Sequence, residues 1–323
     1  MKYNALVIGL GKIGLGFDLN SKPGHILTHT KAYLKNRKFN LVAGVDIDSV
    51  RRKLFKKFSK REAYKSIDEF RRFSKKKIDI VSLCTPESVR LSEMRNIVKL
   101  NPRLVVIEKP IAMTINETMQ IRDLAKKEKI KIFVNYIRRV DPFFAGLKKI
   151  IDSRQFGRVL LVNINYSGGL YKNASHFIDL MLYYFGMPLK VLCLSRRKKA
   201  NNDVDASFIL SYLNFGIHFQ DISDQNYSVG EIDLFFEYGR IMVLDFGANA
   251  RIFKLQKDSL FKGFNALKQV RLKVKPQLDR YQDDVVKHLL KVLQNEENPV
   301  SDAKSATETL IICKKIENGQ LIR

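Results

Sequence analysis

The stretch that decides the fold is Ala5-Leu-Val-Ile-Gly9-Leu-Gly11-Lys-Ile-Gly14, close to the start of a chain of 323 residues. Its apolar part, residues 6–8, is too short for a helix and predicts a buried strand. Three glycines follow at G-x-G-x-x-G spacing. Gly9 permits a tight turn, Gly11 lets a pyrophosphate approach the backbone, and Gly14 lets the next helix pack against the strand. The stretch therefore predicts a dinucleotide site, although an ordinary strand–turn–helix can show the same spacing.

Short apolar runs alternate with helical segments from the glycine motif to residue 135. Strands are predicted at 40–45, 78–83, 104–107 and 131–134. This alternation predicts a doubly wound parallel Rossmann sheet, whose ligand-binding groups collect at the carboxyl ends of the strands. The side chains expected at those ends are Asp46, Thr85, Pro86, Lys109 and Asn135.

The acid at the end of the second strand bears on the choice of cofactor. Asp46 is placed to accept hydrogen bonds from the adenosine ribose hydroxyls and would repel a 2′-phosphate, which favours NAD over NADP. It lies further from Gly14 than the usual spacing of roughly 20 residues. A loop-like insertion at 15–27 accounts for the difference. Arg51 and Arg52 are close enough in sequence to bind a 2′-phosphate, so NADP stays possible.

Two histidines and an acid lie in or beside the insertion, namely His25, His29 and Asp18. Together they could bind a metal, but a polar loop and a helix cap explain them better, because a third ligand is only a guess. The sequence therefore predicts no metal site. The insertion could instead help to cover a substrate.

The pattern changes after residue 135. A helix with one apolar face is predicted at 175–185, and six strands follow in succession between 190 and 256. A large, mostly antiparallel open sheet in an α+β domain is the expected result. The predicted domains are a Rossmann dinucleotide-binding domain at 1–135 and a second domain at 136–323.

The strands of the second domain carry many apolar side chains. They include Ile232, Leu234, Phe236, Ile241, Val243 and Leu244. One layer of helices does not obviously cover so many, and a wide exposed apolar face favours pairing between copies. A homo-oligomer, either a dimer or a tetramer, is expected.

The net charge of +25 is the unusual feature of the composition. No nucleic-acid motif accompanies it, so solvated lysine-rich faces explain the charge better than a specific nucleic-acid partner. No apolar run reaches the roughly 18 residues that a membrane helix needs. The three cysteines are far apart and odd in number, which argues against a disulfide framework and predicts a cytoplasmic protein.

Several motifs together resemble the glucose–fructose oxidoreductase and inositol dehydrogenase (Gfo/Idh/MocA) family. They are GLGKIG at 9–14, CTPE at 84–87, EKP at 108–110, the run 134–142, GGLYKNASHFIDL at 168–180, and the closing helices around Tyr281 and Asp302. The resemblance covers essentially the whole chain. It implies a nicotinamide-dependent dehydrogenase or reductase of sugars, inositols or their derivatives, whose second domain binds substrate and often mediates oligomerisation. The implied cofactor-binding residues are Gly9, Gly11, Lys12, Ile13, Gly14, Asp46, Thr85, Pro86, Glu87, Glu108 and Lys109.

Hydride transfer at a carbinol requires a group that stabilises the oxygen and a group that takes its proton. Lys109 ends a strand where the nicotinamide half should lie, and its ammonium can polarise a carbonyl or stabilise an alkoxide. A histidine among apolar residues is more often part of a core, but the family motif makes His176 the candidate base. Asp179, one turn on, either orients His176 or caps the helix, and Tyr166 is a further candidate for substrate contact.

Two departures from the family pattern add positive charge. Lys172 stands four residues before His176, where the family usually carries an Asp, and Arg90 stands where a His often follows the Thr-Pro turn. If 172 and 176 are both helical, their side chains share a face. The two cations predict an anionic substrate, such as a sugar phosphate, a nucleotide sugar or a sugar acid. The alternative is a catalytically inactive dinucleotide-binding protein with a regulatory role.

Overall fold

The computed structural model describes residues 2–200, 203–223, 226–271 and 274–319. Its strands are β1 (Tyr3–Ile8), β2 (Phe39–Val45), β3 (Glu62–Tyr64), β4 (Ile80–Leu83), β5 (Leu104–Ile107), β6 (Lys131–Val134), β7 (Val159–Tyr166), β8 (Lys190–Lys198), β9 (Val204–Ser211), β10 (Gly216–Asp221), β11 (Gly230–Phe236), β12 (Gly239–Leu244), β13 (Asn249–Lys257) and β14 (Asn265–Val270). Its α-helices are α1 (His29–Lys35), α2 (Ser49–Ser59), α3 (Ile67–Phe73), α4 (Arg90–Ile97), α5 (Ile115–Lys127), α6 (Pro142–Asp152), α7 (Ser175–Phe185), α8 (Tyr281–Gln294) and α9 (Ala303–Asn318).

The chain divides into two compact units. Unit 1 comprises Met1–Val140 and Asp279–Thr307, and unit 2 comprises Asp141–Leu278 and Glu308–Arg323. The first crossing lies close to the predicted boundary after residue 135. The prediction that everything beyond 135 forms the second domain needs correction, because the chain returns to unit 1 with α8 and the start of α9.

Unit 1 is built on a six-stranded parallel sheet in the order β3-β2-β1-β4-β5-β6. Both faces are covered, because alternate residues of β1 enter two different apolar clusters. Val285 and Leu289 of α8 are fully buried in the cluster that contains Ala5 and Val7. The apolar stripe of α8 therefore completes the core of unit 1, which explains why this helix does not belong to the second domain.

Unit 2 is built on an eight-stranded sheet in the order β14-β13-β12-β11-β7-β10-β9-β8. Only the pair of β7 and β10 is parallel among the described pairs of this sheet, so the predicted, mostly antiparallel open sheet is confirmed. Residues of α6 and α7 share one apolar cluster with β7, β11 and β12. The short, polar strands β3 and β14 carried no recognisable sequence signal.

Five of the six apolar strand residues that suggested an exposed face are inside unit 2, whereas Leu244 is partly buried on the opposite face. Ile232, Leu234, Phe236, Ile241 and Val243 are each 5% exposed or less. They pack in the same cluster as α6 and α7. The opposite face carries polar side chains, including Asn163, Asn165, His218, Gln220, Glu231 and Asp233. The argument from uncovered apolar strands is therefore wrong, and the homo-oligomer remains a prediction without that support.

None of the helices in the described part of the chain combines the length and the hydropathy that a membrane crossing requires.

Candidate functional site

The glycine motif forms a turn in unit 1 that requires glycine at two of its three glycine positions. Gly9 has φ of +88°, and a Cβ on it would lie 2.7 Å from the carbonyl carbon of Cys84. A Cβ on Gly14 would lie 2.0 Å from the carbonyl oxygen of Gly9. By contrast, a Cβ on Gly11 would meet only Nη1 of Arg51, at 3.7 Å. The chain itself therefore does not need a glycine at position 11, which fits a position kept small for a pyrophosphate.

The insertion at 15–27 forms a loop between the glycine turn and the first helix. The backbone N–H groups of His29 and Thr30 donate to the carbonyls of Ile13 and Gly14, at 3.3 and 3.2 Å. Helix α1 thus continues from the glycine turn as though the intervening loop were absent. The hydroxyl of Thr28 caps α1 by accepting from the N–H of Lys31. This geometry agrees with the predicted insertion.

Asp18 anchors this loop. Its Oδ2 accepts from the N–H of Leu27 at 3.0 Å and from the N–H and hydroxyl of Thr28 at 2.8 and 2.7 Å. Its Oδ1 accepts from Ser21 at 2.8 Å. Burial alone would raise the pKa of this carboxyl, but the hydrogen bonds from Thr28 and Ser21 hold it below its usual value. Among the described residues, no three His, Cys, Asp or Glu side chains are grouped as metal ligands. Asp18 thus has a structural role.

Asp46 joins the end of β2 to the glycine motif. Its Oδ2 accepts from the N–H of Leu10 at 2.7 Å, and its Oδ1 accepts from the N–H of Asp48 at 2.8 Å. A carboxylate oxygen that accepts one hydrogen bond keeps a second acceptor position, so each oxygen can still receive a ribose hydroxyl. Arg52 donates to the backbone carbonyl of Asp46, whereas Nη1 of Arg51 lies 3.7 Å from Oδ2 of Asp46. Of the two arginines, only Arg51 therefore lies beside this carboxylate.

Glu108, at the end of β5, is the centre of a buried polar cluster. Its Oε1 lies 2.9 Å from Nε2 of His29 and accepts from Nδ2 of Asn135 at 2.6 Å. Burial alone would raise the pKa of Glu108, but the contact with His29 holds it below its usual value. Burial alone would lower the pKa of His29, but Cys84 and Glu108 together raise it to about 10. Both shifts favour the carboxylate form of Glu108 and the imidazolium form of His29.

Arg90 holds the two loops that flank this cluster. It is 3% exposed. Its Nε donates to the carbonyl of Thr85 at 2.9 Å, and its Nη1 donates to the carbonyls of Glu108 and Pro110. The expectation that Arg90 contributes charge for an anionic substrate is corrected here, because these backbone carbonyls occupy its guanidinium.

The remaining candidates of unit 1 lie at the same edge of the sheet. The Thr85 hydroxyl is buried and has no hydrogen-bond partner among the described residues, which is expected of a group that awaits a ligand. Lys109, directly after Glu108, is half-buried. The other candidates are Lys12 and Pro86, which are exposed, and Ile13 and Glu87, which are partly buried.

The candidate residues of unit 2 lie on α7 and on the turn before it. Residues Leu170–Ala174 form a π-helix, a local widening that is frequent at functional sites. Lys172 lies in it and is exposed, whereas His176 follows on α7 and is partly buried. The two residues therefore do not lie on one continuous α-helix, so the condition under which their side chains would share a helical face is not met. Asp179 is 1% exposed and accepts from the hydroxyl of Thr309 at 3.3 Å.

Asp203 fixes this π-helix, and no sequence motif pointed to it. Its Oδ1 accepts from the N–H of Tyr171 at 2.9 Å, and its Oδ2 accepts from the N–H of Lys172 at 3.1 Å. Gly169 has φ of +102°, and a Cβ on it would lie 2.3 Å from the same Oδ2. The Gly-Gly pair in the sequence indicated a turn, but it did not indicate that the Asp203 carboxylate accepts hydrogen bonds from the backbone of that turn.

Tyr166 is placed differently from the prediction. Its side chain is fully buried in the apolar cluster of unit 2, and its hydroxyl donates to the carbonyl of Ala206 at 2.5 Å. Tyr166 is therefore a core residue, and the prediction that it contacts substrate is corrected. Lys109 belongs to unit 1 and His176 to unit 2, and the structure fixes each within its own unit.

Comparison with known proteins agrees with this geometry. Residues 3–136 match the family model described as "Oxidoreductase family, NAD-binding Rossmann fold" (GFO_IDH_MocA). The scyllo-inositol 2-dehydrogenase (NAD(+)) of Bacillus subtilis (strain 168) is 26% identical over 197 residues, which are 56% of this chain and 53% of that protein. The scyllo-inositol 2-dehydrogenase (NADP(+)) IolW of the same organism is 25% identical over 157 residues, which are 43% of each protein.

These curated relatives align over only part of their length, since the chain spans 36% to 53% of each. Solved structures extend the likeness in fold to the whole chain. The WlbA dehydrogenase from Bordetella pertussis, in complex with NADH and UDP-GlcNAcA, superposes with a TM-score of 0.74. It covers 100% of this chain and 98% of that one at 17% identity.

Proposed function

Since residues 3–136 of this chain match the NAD-binding Rossmann model of the Gfo/Idh/MocA oxidoreductase family, we propose that the protein transfers a hydride between a nicotinamide cofactor and a CH–OH group of a carbohydrate derivative. The observation that supports this most is the arrangement at the carboxyl edge of the sheet in unit 1. There the glycine turn, the Asp46 carboxylate, the buried Thr85 hydroxyl and Lys109 follow neighbouring strands.

The residues present fit NAD or NADP. The space at Gly11 suits the pyrophosphate, and the remaining acceptor positions on Asp46 suit the adenosine ribose hydroxyls. When bound, the nicotinamide ring supplies or accepts the hydride. Asp46 favours NAD, whereas Arg51 beside it is the residue that a 2′-phosphate would engage. Titration of both cofactors tests this preference, and tighter binding of NADP would refute it.

We assign the proton chemistry to Lys109 and His176. The Lys109 ammonium donates a hydrogen bond to the reacting oxygen and stabilises it as negative charge develops. The His176 imidazole accepts the hydroxyl proton during oxidation and returns it during reduction. Lys109→Ala is expected to lower turnover by about 100-fold or more while cofactor affinity changes little. Unchanged turnover in Lys109→Ala would refute this assignment.

The substrate we propose is an anionic carbohydrate: a sugar phosphate, a nucleotide sugar or a sugar acid. Because Arg90 is occupied by backbone carbonyls, the proposal depends on Lys172, which is exposed on the turn before His176. Lys172→Ala should chiefly raise KM for such a substrate and affect kcat less. A fall in kcat with KM unchanged would instead make Lys172 a catalytic group.

The substrate class is tested directly by a screen of neutral polyols, sugar phosphates, sugar acids and nucleotide sugars, in which the absorbance of the cofactor reports turnover. Turnover of an anionic sugar, lost in Lys109→Ala, supports the proposal. Cofactor binding without turnover of any compound would favour the non-catalytic alternative.

We also propose a cytoplasmic homo-oligomer. Cys84, Cys193 and Cys313 all remain thiols, which suits a reducing compartment. The family resemblance is what favours an oligomer. Light scattering that gave only the 37.4 kDa monomer at micromolar concentration would refute it.

A further inference from the structure

We propose that a cavity at the amino edge of the sheet of unit 1 binds a small anion that carries two or more phosphate groups. The cavity has a volume of about 420 Å³, and the charged residues that line it are Lys77, Arg103, Glu128, Lys129 and Lys131. None of them belongs to the proposed active site, so the inference does not depend on the proposed function. It gives a ligand to part of the positive charge of the chain, which that function leaves unused.

The cavity lies at the end of the sheet opposite to the proposed cofactor residues. Arg103 directly precedes β5 and Lys131 is the first residue of β6, and these two strands are parallel neighbours. Lys77 precedes β4, the other neighbour of β5. The proposed cofactor residues, by contrast, follow the carboxyl ends of the strands. A ligand in this cavity therefore does not compete with the cofactor for the same residues.

Two of the cations are held at the wall of the cavity. Nη2 of Arg103 donates to the carbonyl of Leu293. Nζ of Lys131 donates to the carbonyl of Val292 at 3.2 Å and to Oδ1 of Asn295 at 2.9 Å. The three acceptor residues themselves line the cavity, so both charged groups lie at its wall. These contacts also cover two carbonyls near the C-terminal end of α8, which would otherwise repel an anion.

Both cations keep N–H donors for a ligand. Of the donors that a guanidinium and an ammonium carry, the contacts with α8 and Asn295 use one on Arg103 and two on Lys131. The guanidinium of Arg103 also lies over the ring of Tyr3, with its central carbon 5.6 Å from the ring centre. Cations that are already held in place lose less conformational entropy when they bind a ligand. The remaining donors suit phosphate oxygens, which form charge-assisted hydrogen bonds with Arg and Lys.

The charges around the cavity do not balance. Among the described residues, Arg103 and Lys131 donate to carbonyl and amide oxygens and not to a carboxylate. Lys77 and Lys129 are exposed and add two more cations, whereas Glu128 is the only acid in the described lining. Neighbouring cations repel one another, and an anion with several negative charges removes that repulsion.

The size of the cavity favours a small molecule over a nucleic acid. Its volume of about 420 Å³ lies within the range of roughly 300–1,000 Å³ that is typical of small-molecule sites. A nucleic-acid backbone spreads its phosphates along a chain, whereas here several cations surround one cavity. A compact anion with several phosphate charges fits this arrangement better.

The direct test is isothermal titration calorimetry with inorganic triphosphate, in magnesium-free buffer and with NAD in excess. NAD fills the glycine turn, so that triphosphate does not bind there instead. The native protein should bind triphosphate at a single site. A parallel titration with ATP identifies the source of the phosphates: tighter binding of ATP supports a nucleotide, and equal or weaker binding supports a free polyphosphate.

Four variants locate the site. Lys131→Gln and Lys129→Gln should each raise the Kd for triphosphate by about 5-fold or more, because each removes a positive charge from the cavity. Glu128→Gln should lower the Kd by about 3-fold, because it removes the acid that repels the anion. Lys60→Gln is the matched control and should leave the Kd unchanged. Lys60 and Lys129 are both exposed and follow a helix with positive φ, at 56° and 55°.

Absence of triphosphate binding by the native protein would overturn the proposal. An equal loss of affinity in Lys60→Gln and Lys129→Gln would do so too, since the anion would then respond only to the general charge of the surface. Tighter binding of a short DNA duplex than of triphosphate, through the same lysines, would make this surface a nucleic-acid contact instead. If Lys131→Gln does not fold, Lys129→Gln decides, because its replacement leaves the contacts with α8 intact.

Discussion

Replacing Asp203 tests how the turn that carries Lys172 is held. Asp203→Ala removes the acceptor for the backbone N–H groups of Tyr171 and Lys172, at 2.9 and 3.1 Å. Hydrogen bonds to a charged group contribute about 1.5–3 kcal/mol each. Asp203 is 8% exposed, so water recovers only part of that loss. We therefore expect the free energy of unfolding of unit 2 to fall by about 2–4 kcal/mol.

Two variants sharpen this test. Asp203→Asn keeps one acceptor oxygen and should lose about half as much stability as Asp203→Ala. Asp233→Ala is the matched control, because Asp233 also belongs to the sheet of unit 2 and pairs with Arg240 at 2.5 Å, but on the partly solvated face. A partly exposed pair of this kind contributes about 0.2–1 kcal/mol.

Urea unfolding followed by fluorescence or circular dichroism measures all three variants. If Asp203→Ala were no more destabilising than Asp233→Ala, the carboxylate would not hold the turn and the reasoning would be refuted. Cofactor titration serves as an internal check, since the proposed cofactor residues lie in unit 1 and their affinity should stay within about 2-fold.

Two further predictions concern unit 1. Gly11→Ala should weaken cofactor binding by about 10-fold or more, because the added Cβ occupies space proposed for the pyrophosphate. The free energy of unfolding should change by less than about 0.5 kcal/mol, because that Cβ meets only a side-chain atom, at 3.7 Å. Equal losses of binding and stability would contradict this prediction. The pKa of His29 is about 10 in the folded protein and about 6.5 when unfolded, so its stabilisation is full below about pH 6.5 and is lost as the pH rises towards about 10. Thermal unfolding at pH 6.5, 8 and 9.5 should therefore show a smaller decline in Tm for His29→Gln than for the native protein, and parallel declines would contradict this.

The sequence predicted those features that depend on local pattern. The glycine turn, the acid after β2 and the alternation of strands and helices follow from short-range chemistry. The contacts between Glu108 and His29, and between Asp203 and the turn after Gly169, join distant parts of the chain. A single sequence carries no signal for such pairs, because each partner has an ordinary local role.

Arg90 shows the limit of reasoning from residue type. A cation beside a predicted active site suggests an anionic ligand, but burial and three backbone carbonyls give it a different partner. Likewise, the closing helix expected around Tyr281 is α8, but the sequence carried no indication of the sheet against which its apolar face packs. Only the tertiary structure decides which of several apolar surfaces such a helix covers.

The return of α8 to unit 1 has a consequence for the order in which the protein matures. A ribosome synthesises residues 1–140, then the whole of 141–278, and only afterwards the helix whose Val285 and Leu289 cover Ala5 and Val7. Until then one face of the first sheet has no cover from α8 and is open to chaperones or to aggregation. The sheet of unit 1 thus completes its core only after the intervening unit 2 has been synthesised.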